Sequence, residues 1–237
     1  MRGFTVIIFG ATGMIGRAVL LECIESPLID HIHIINRKPI RFRHPKVEET
    51  LMPNFLFAHA LNKHWDADAV FYCVGTNMET TNFYRYRTVT YDYIIEVCEA
   101  LISHNPRMRF VLISNISSDS SEVELDLKSR VNGMAENAVM IFYEDTYILR
   151  LGYVQPMKGV ETQSKLDYWF YRLIGWFYKF KGRPESKFMT NSVAVAKSMI
   201  YLAGNEFYKR RLTTENVNEL AIKYGNMIND LAFEKEG

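Results

Sequence analysis

The chain has 237 residues, 48% of them hydrophobic and 14% aromatic, enough to bury one sizeable core in a single α/β domain. With 28 basic and 27 acidic side chains the formal net charge is +1, so no overall field draws it to nucleic acid or to an anionic membrane. Cys23, Cys73 and Cys98 match neither a disulfide framework nor a zinc site and fit a reducing cytoplasm. The leading run FTVIIF is too short for a signal-peptide core, and no stretch approaches the ~18 apolar residues of a membrane span.

In chain order, TVIIF reads as a buried strand, GMIGRAVLLECIES as a helix and HIHII as a second strand, followed by the polar connection RKPIRFRHPKVEE. DADAVFYCVGT holds a strand ending in Gly75, TVTYDYIIEVCEALISH a helix and RFVLISN a strand. ELDLKSRVNGMAENAV has helical spacing, and TYILRLG closes the pattern as a strand. Alternating β and α elements imply a doubly wound parallel sheet, because parallel neighbours need long crossovers. Residues 1–237 therefore read as one Rossmann-type domain. From about Gly152 the rhythm weakens and aromatics concentrate, so residues 152–237 are expected to form a small helical C-terminal cap rather than more sheet.

Gly10, Gly13 and Gly16 are spaced GxxGxxG between the first strand and the first helix. Glycine there permits a tight turn and lets backbone approach a pyrophosphate, while the free N–H groups of the helix face the anion. The strand–turn–helix context makes this a seat for a dinucleotide. A carboxylate about 20 residues beyond the last glycine suits the ribose hydroxyls of NAD, whereas an arginine suits the 2′-phosphate of NADP. Twenty positions after Gly16 stands Asn36, followed by Arg37 and Lys38 with no acid between them, so NADP is favoured.

GATGMIGR, CVGT, YRYRTVTYDYIIEVCEAL, FVLISN and YILRLG together resemble the atypical short-chain dehydrogenase/reductases, most of all the branch of Tat-interacting oxidoreductase-like proteins near the NmrA-like group. The resemblance extends to about Ala203 and implies an NADP-binding Rossmann fold with a variable C-terminal substrate region. By position it would set Gly10, Thr12, Gly13, Met14 and Ile15 along the pyrophosphate and Arg37, with Lys38, at the 2′-phosphate. Val74, Gly75 and Thr76 would lie along the ribose nearer the nicotinamide.

Redox-active members pair a serine after the fifth strand with Tyr-x-x-x-Lys on the next helix. One helical turn sets Tyr and Lys on one face, where the lysine favours the phenolate and the phenol passes a proton as hydride moves. Ser114 is the best positional match for the serine and Lys128 for the lysine, whose counterpart also binds the nicotinamide ribose. Four residues before Lys128 stands Glu124, and none of the fourteen tyrosines is followed by Lys at the fourth position. Glu124 and Lys128 read more simply as an i to i+4 ion pair on a helix surface.

The six histidines show no metal-ligand spacing; His31 and His33 alternate along a strand on one sheet face, and Cys73 reads as a small buried strand residue. In SKLDYWFYRLIGWFYKFKGR, Trp169, Leu173, Trp176 and Phe180 recur at helical spacing beside Phe170, Ile174 and Phe177, a pattern of core or pocket wall, then of interface, then of membrane surface. Thr190, Asn191 or Ser192 is set to cap a final amphipathic helix, and the tail NDLAFEKEG to fray. The function expected is an NADP(H)-binding regulator or sensor that lacks the usual proton donor and contacts protein partners. The alternative is an NADP-dependent reductase of small carbonyl compounds whose proton comes from Ser114, water or a remote tyrosine such as Tyr153.

Overall fold

The almost wholly apolar run Phe4–Phe9 forms β1, the third of seven strands across a parallel sheet, in the computed structural model, which describes residues 2–60, 66–76, 82–157 and 187–236. Its partners are β2 (Ile29–Asn36), β3 (Val47–Leu51), β4 (Ala69–Tyr72), β5 (Arg109–Asn115), β6 (Thr146–Leu151) and β9 (Arg211–Leu212). They lie in the order β3-β2-β1-β4-β5-β6-β9, and every pairing is parallel. Central strands covered on both sides need apolar residues at every position. Accordingly Val6 and Ile8 of β1 enter one core layer and Ile7 and Phe9 the other.

The helices sort by layer. On one face lie α1 (Met14–Glu25), α5 (Ser192–Gly204) and α6 (Thr214–Glu236), with α5 packed against both others. On the opposite face lie a 3-10 turn at Phe55–Ala60, α3 (Tyr93–Ile102) and α4 (Leu127–Phe142). Here Phe9, Tyr72, Phe110 and Tyr143 form a chain of ring contacts with centroids 5.4–6.0 Å apart. A separate two-stranded sheet pairs β7 (Tyr153–Gln155) with β8 (Met189–Asn191). Among the described residues no helix is long and apolar enough to cross a membrane.

The doubly wound sheet stands as read from the sequence, with local corrections. β3 lies in the stretch read as a polar connection; VEETL is an edge strand with one partner and carries no apolar run to reveal it. The strand before Gly75 ends at Tyr72. The helix read from Thr88 begins at Phe83 as α2 (Phe83–Arg87), capped by Asn82 Oδ1 on the Arg85 amide at 3.0 Å, and reaches α3 through a π-helical turn at Thr88–Asp92. The region after Gly152 is more than a cap, since it adds β9 to the sheet and α5 to a core layer. Two residues in a polar stretch are too few to show as a strand pattern.

Asn191 does cap a helix, accepting from the Ala194 amide at 2.9 Å, but that helix is followed by α6. The tail expected to fray belongs to α6, which runs to Glu236 and is anchored by buried Val217, Leu220 and Tyr224. The aromatic segment at 168–180, with Trp169 and Trp176, lies outside the described residues.

Candidate functional site

In the order β3-β2-β1-β4-β5-β6 the chain reverses direction across the sheet between β1 and β4, and the crevice beyond the C-terminal ends of these two strands is where such sheets take a ligand. The loop after β1 carries the glycines, and the loop after β4 carries Cys73, Val74, Gly75 and Thr76. The loops touch: a Cβ on Gly10 would stand 2.9 Å from the Cys73 carbonyl oxygen, and Gly10 itself has φ +81, where side chains are strained. A Cβ on Gly16 would stand 2.2 Å from the Gly10 carbonyl oxygen, so only glycine lets α1 start this close to the strand end.

Gly13 differs from both. As the N-cap of α1 it has φ −78, open to any residue, and a Cβ there would meet only the Gly10 carbonyl oxygen, at an ordinary 3.4 Å. Gly75 is similar: among the described residues nothing lies within 4 Å of its Cβ position. No contact among the described residues requires glycine at either place, whereas a phosphate drawn up to the backbone would. The cap has no side chain to satisfy the first N–H groups of α1, and no acidic residue stands in its first turn. Thr12 is exposed, while Met14 and Ile15 pack their side chains on the core and leave their amides at the helix start. These groups fit a dinucleotide pyrophosphate.

Beyond β2 the chain makes an exposed turn at Arg37, Lys38 and Pro39. Asn36 is fully buried and gives its Nδ2 to Glu49 Oε1 at 3.1 Å, the same oxygen that accepts the Ile40 amide at 3.0 Å. Phe42, further along, lies beneath the Arg17 guanidinium, 5.0 Å from carbon to ring centroid. His33 on β2 pairs with Glu48 on β3 at 3.2 Å.

The other end of the crevice is built differently. Ser114, near the end of β5, donates its hydroxyl to Glu136 Oε1 at 2.6 Å and lies 2.9 Å from the Ser118 hydroxyl. Glu136 is fully buried on α4 and is gripped by Arg150, whose Nη2 donates to Oε2 at 2.6 Å, with Arg211 Nε at 3.4 Å. Arg150 also donates to Ser120, and Arg211 to Asn137 at 2.8 Å. Sequence reading missed Glu136, Arg150 and Arg211. Only an acid among the apolar positions of a helix, VNGMAEN, hinted at it.

Glu124 is not on a helix. α4 begins at Leu127 behind Asp126, whose carboxylate accepts from the Ser129 amide and hydroxyl at 2.9 and 2.6 Å. Upstream, Asp119 collects the amides of Ser121, Val123 and Glu124 at 2.8–2.9 Å and holds that chain in a loop. Hydrogen bonding, led by the Ser121 hydroxyl, pulls the Asp119 carboxyl down to about 2. The helical Glu124–Lys128 pair expected from spacing therefore does not form, and Glu124 instead accepts from the Leu125 amide at 3.1 Å. Lys128 sets its ammonium 5.5 Å from the ring centroid of Tyr86. The Tyr86 phenol, on α2, donates to Asn132 one turn beyond Lys128 at 3.1 Å. Burial raises the Tyr86 pKa, with the Asn132 hydrogen bond opposing it. Tyr153, the remote tyrosine weighed from sequence, opens β7.

Burial pushes the Cys73 thiol up to about 12. Among the described residues no cluster of His, Cys, Asp or Glu is arranged to hold a metal ion.

No family model matches the chain, and no curated protein does. Solved structures do. The Bordetella bronchiseptica enzyme WbmF, in complex with NAD+, superposes with a TM-score of 0.65 at 15% identity over 95% of this chain and 78% of its own. A dTDP-glucose 4,6-dehydratase from Bacillus anthracis, in complex with NAD, gives 0.63 at 11% identity over 93% and 81%. The PhqB reductase domain from Penicillium fellutanum gives 0.63 at 13% over 89% and 66%. The chain thus has the Rossmann-type fold of these dinucleotide-bound and reductase structures.

Proposed function

We propose that this protein binds NADP(H) in the crevice between β1 and β4 and acts as a cofactor-dependent regulator rather than as a reductase of ordinary short-chain type. The observation that carries the binding is Gly13: a glycine at the start of α1 that no contact among the described residues requires, beside amide groups to which this N-cap offers no side chain. The WbmF and dehydratase structures were solved with NAD+ or NAD, which supports a dinucleotide at the corresponding crevice. Arg37 and Lys38, exposed after β2, would meet the 2′-phosphate, and Val74, Gly75 and Thr76 would follow the second ribose.

The regulator half rests on the reactive end. Hydride transfer to a carbonyl needs a hydroxyl free to donate to the developing alkoxide. Ser114 has one hydrogen and spends it on Glu136, Glu124 is in a loop, and no Tyr-x-x-x-Lys exists in the sequence. Fluorescence titration should show NADPH bound more tightly than NADH and weakened by Arg37→Ala, while a panel of aldehydes and ketones produces negligible NADPH oxidation. Equal affinity for the two cofactors removes the selectivity; robust turnover removes the regulator.

One observation favours the reductase reading. Lys128 sets its ammonium over the ring of Tyr86, a tyrosine and a lysine brought together from different segments, and the Tyr86 hydroxyl is donated to a neutral amide oxygen of Asn132 where that of Ser114 is donated to a carboxylate. If turnover is found, Tyr86→Phe should abolish it.

A further inference from the structure

We propose that Glu49, on β3, is the positioning residue for cofactor selectivity: its carboxylate closes the Arg37–Lys38–Pro39 turn and holds both cations ready for a 2′-phosphate. This rests on the NADP(H) reading above and deepens it.

The geometry joins residues that the sequence holds apart. β2 ends at Asn36 and the chain re-enters the structure at Ile40. A single oxygen, Oε1 of Glu49, accepts from the Asn36 side-chain amide at 3.1 Å and from the Ile40 backbone amide at 3.0 Å. That oxygen thereby ties the two ends of the turn together. The position of Glu49 is itself fixed by the strand register, in which Glu49 stands opposite Ile34 and the Met52 amide donates to the Asn36 carbonyl at 2.8 Å. Downstream, Phe42 against Arg17 pins the same loop to α1.

The charges follow from this arrangement. Glu49 takes N–H groups rather than Arg37 or Lys38, and among the described residues neither cation forms an ion pair. Two exposed positive charges on a tethered turn suit a phosphate monoester, which a guanidinium can grip through two N–H groups. Tethering also spares the ligand the cost of ordering the turn. The rival role for the same residue is direct: a carboxylate close to the end of β2 accepting ribose hydroxyls, which would favour NAD(H).

Titrating the 237-residue chain and its variants with NADPH and with NADH, and melting each protein alongside, separates these possibilities. Glu49→Ala should lower NADPH affinity about tenfold, the worth of a charge-assisted hydrogen bond, and leave NADH affinity unchanged. Glu49→Gln keeps an acceptor oxygen for both N–H groups and should keep the NADPH preference. Because Glu49 acts through the turn, adding Glu49→Ala to Arg37→Ala should cost less than the two losses combined. If Glu49→Ala does not fold, Glu49→Asp, which withdraws the carboxylate by one methylene, carries the same measurement. A wild-type preference for NADPH that survives in the folded variant overturns the positioning role alone. Loss of NADH binding with NADPH intact also overturns it, in favour of direct ribose contact. Wild-type protein with no NADPH preference overturns the NADP(H) reading itself.

Discussion

The two ends of the crevice are built on opposite plans. Between β1 and β4 the described residues leave room: none of them crowds a Cβ at Gly13 or Gly75, and Gly13 offers the amides at the start of α1 no side-chain cap. At the end of β5 the chain fills the room with its own side chains, as Ser114, Glu136, Arg150 and Arg211 satisfy one another. A backbone seat recognises whatever anion enters it, whereas a buried carboxylate shared by two guanidiniums leaves little for a substrate to use. Among the described residues one end presents open backbone, and the other presents side chains that satisfy one another.

The largest expected effect tests the self-satisfied end. Glu136→Ala leaves two guanidiniums facing a buried hole, and should cost about 3–5 kcal/mol of stability, read as a lowered denaturation midpoint. A loss under about 1 kcal/mol would mean that water replaces the carboxylate and that this end is more open than its contacts imply. Next comes the seat. Gly13→Asp places a favourable N-cap on α1 and a negative charge where the pyrophosphate would lie, so NADPH affinity should fall about a hundredfold while thermal stability holds or rises. Unchanged affinity would sink the assignment of the seat.

Ser114→Ala has a smaller effect. It removes a hydrogen bond to a charged acceptor and should cost about 1–2 kcal/mol in denaturant unfolding, with NADPH oxidation the same as in the unsubstituted protein. Altered oxidation would move Ser114 from structure to catalysis. The smallest effect is confined to the loop before α4. The Asp119 carboxyl lies below its ordinary 3.8, at about 2, so its contribution is fully present above pH ~4 and is lost as pH falls through ~2. Amide exchange at Ser121, Val123 and Glu124 should therefore quicken below about pH 3 while the sheet amides stay protected. Exchange that stays slow at pH 2 would show that other contacts hold the loop.

Much of the candidate seat was legible because it is local. Gly10, Gly13 and Gly16 are near in sequence, and their spacing between an apolar run and a helix needs no long-range contact to be read. The error nearest the reactive end comes from competition among caps. Helical spacing carried the eye from Glu124 to Lys128, yet Asp126 supplies a better cap and Asp119 collects the amides upstream. β3 escaped notice because an edge strand with charged residues has no pattern that differs from a loop.

By itself the sequence determined the doubly wound sheet, the glycine turn and the absence of a Tyr-x-x-x-Lys pair, since each is a matter of residue type at short spacing. Only the tertiary structure decided what meets what. Glu49 reaches Asn36 through strand register, and Tyr86 reaches Lys128 by helix packing. Ser114 finds Glu136, 22 positions away, because β5 and α4 share a core layer. The physical reason is common to all three: a side chain's partner is fixed by how layers stack and how strands align, and neither quantity has a signature in any short window of the chain.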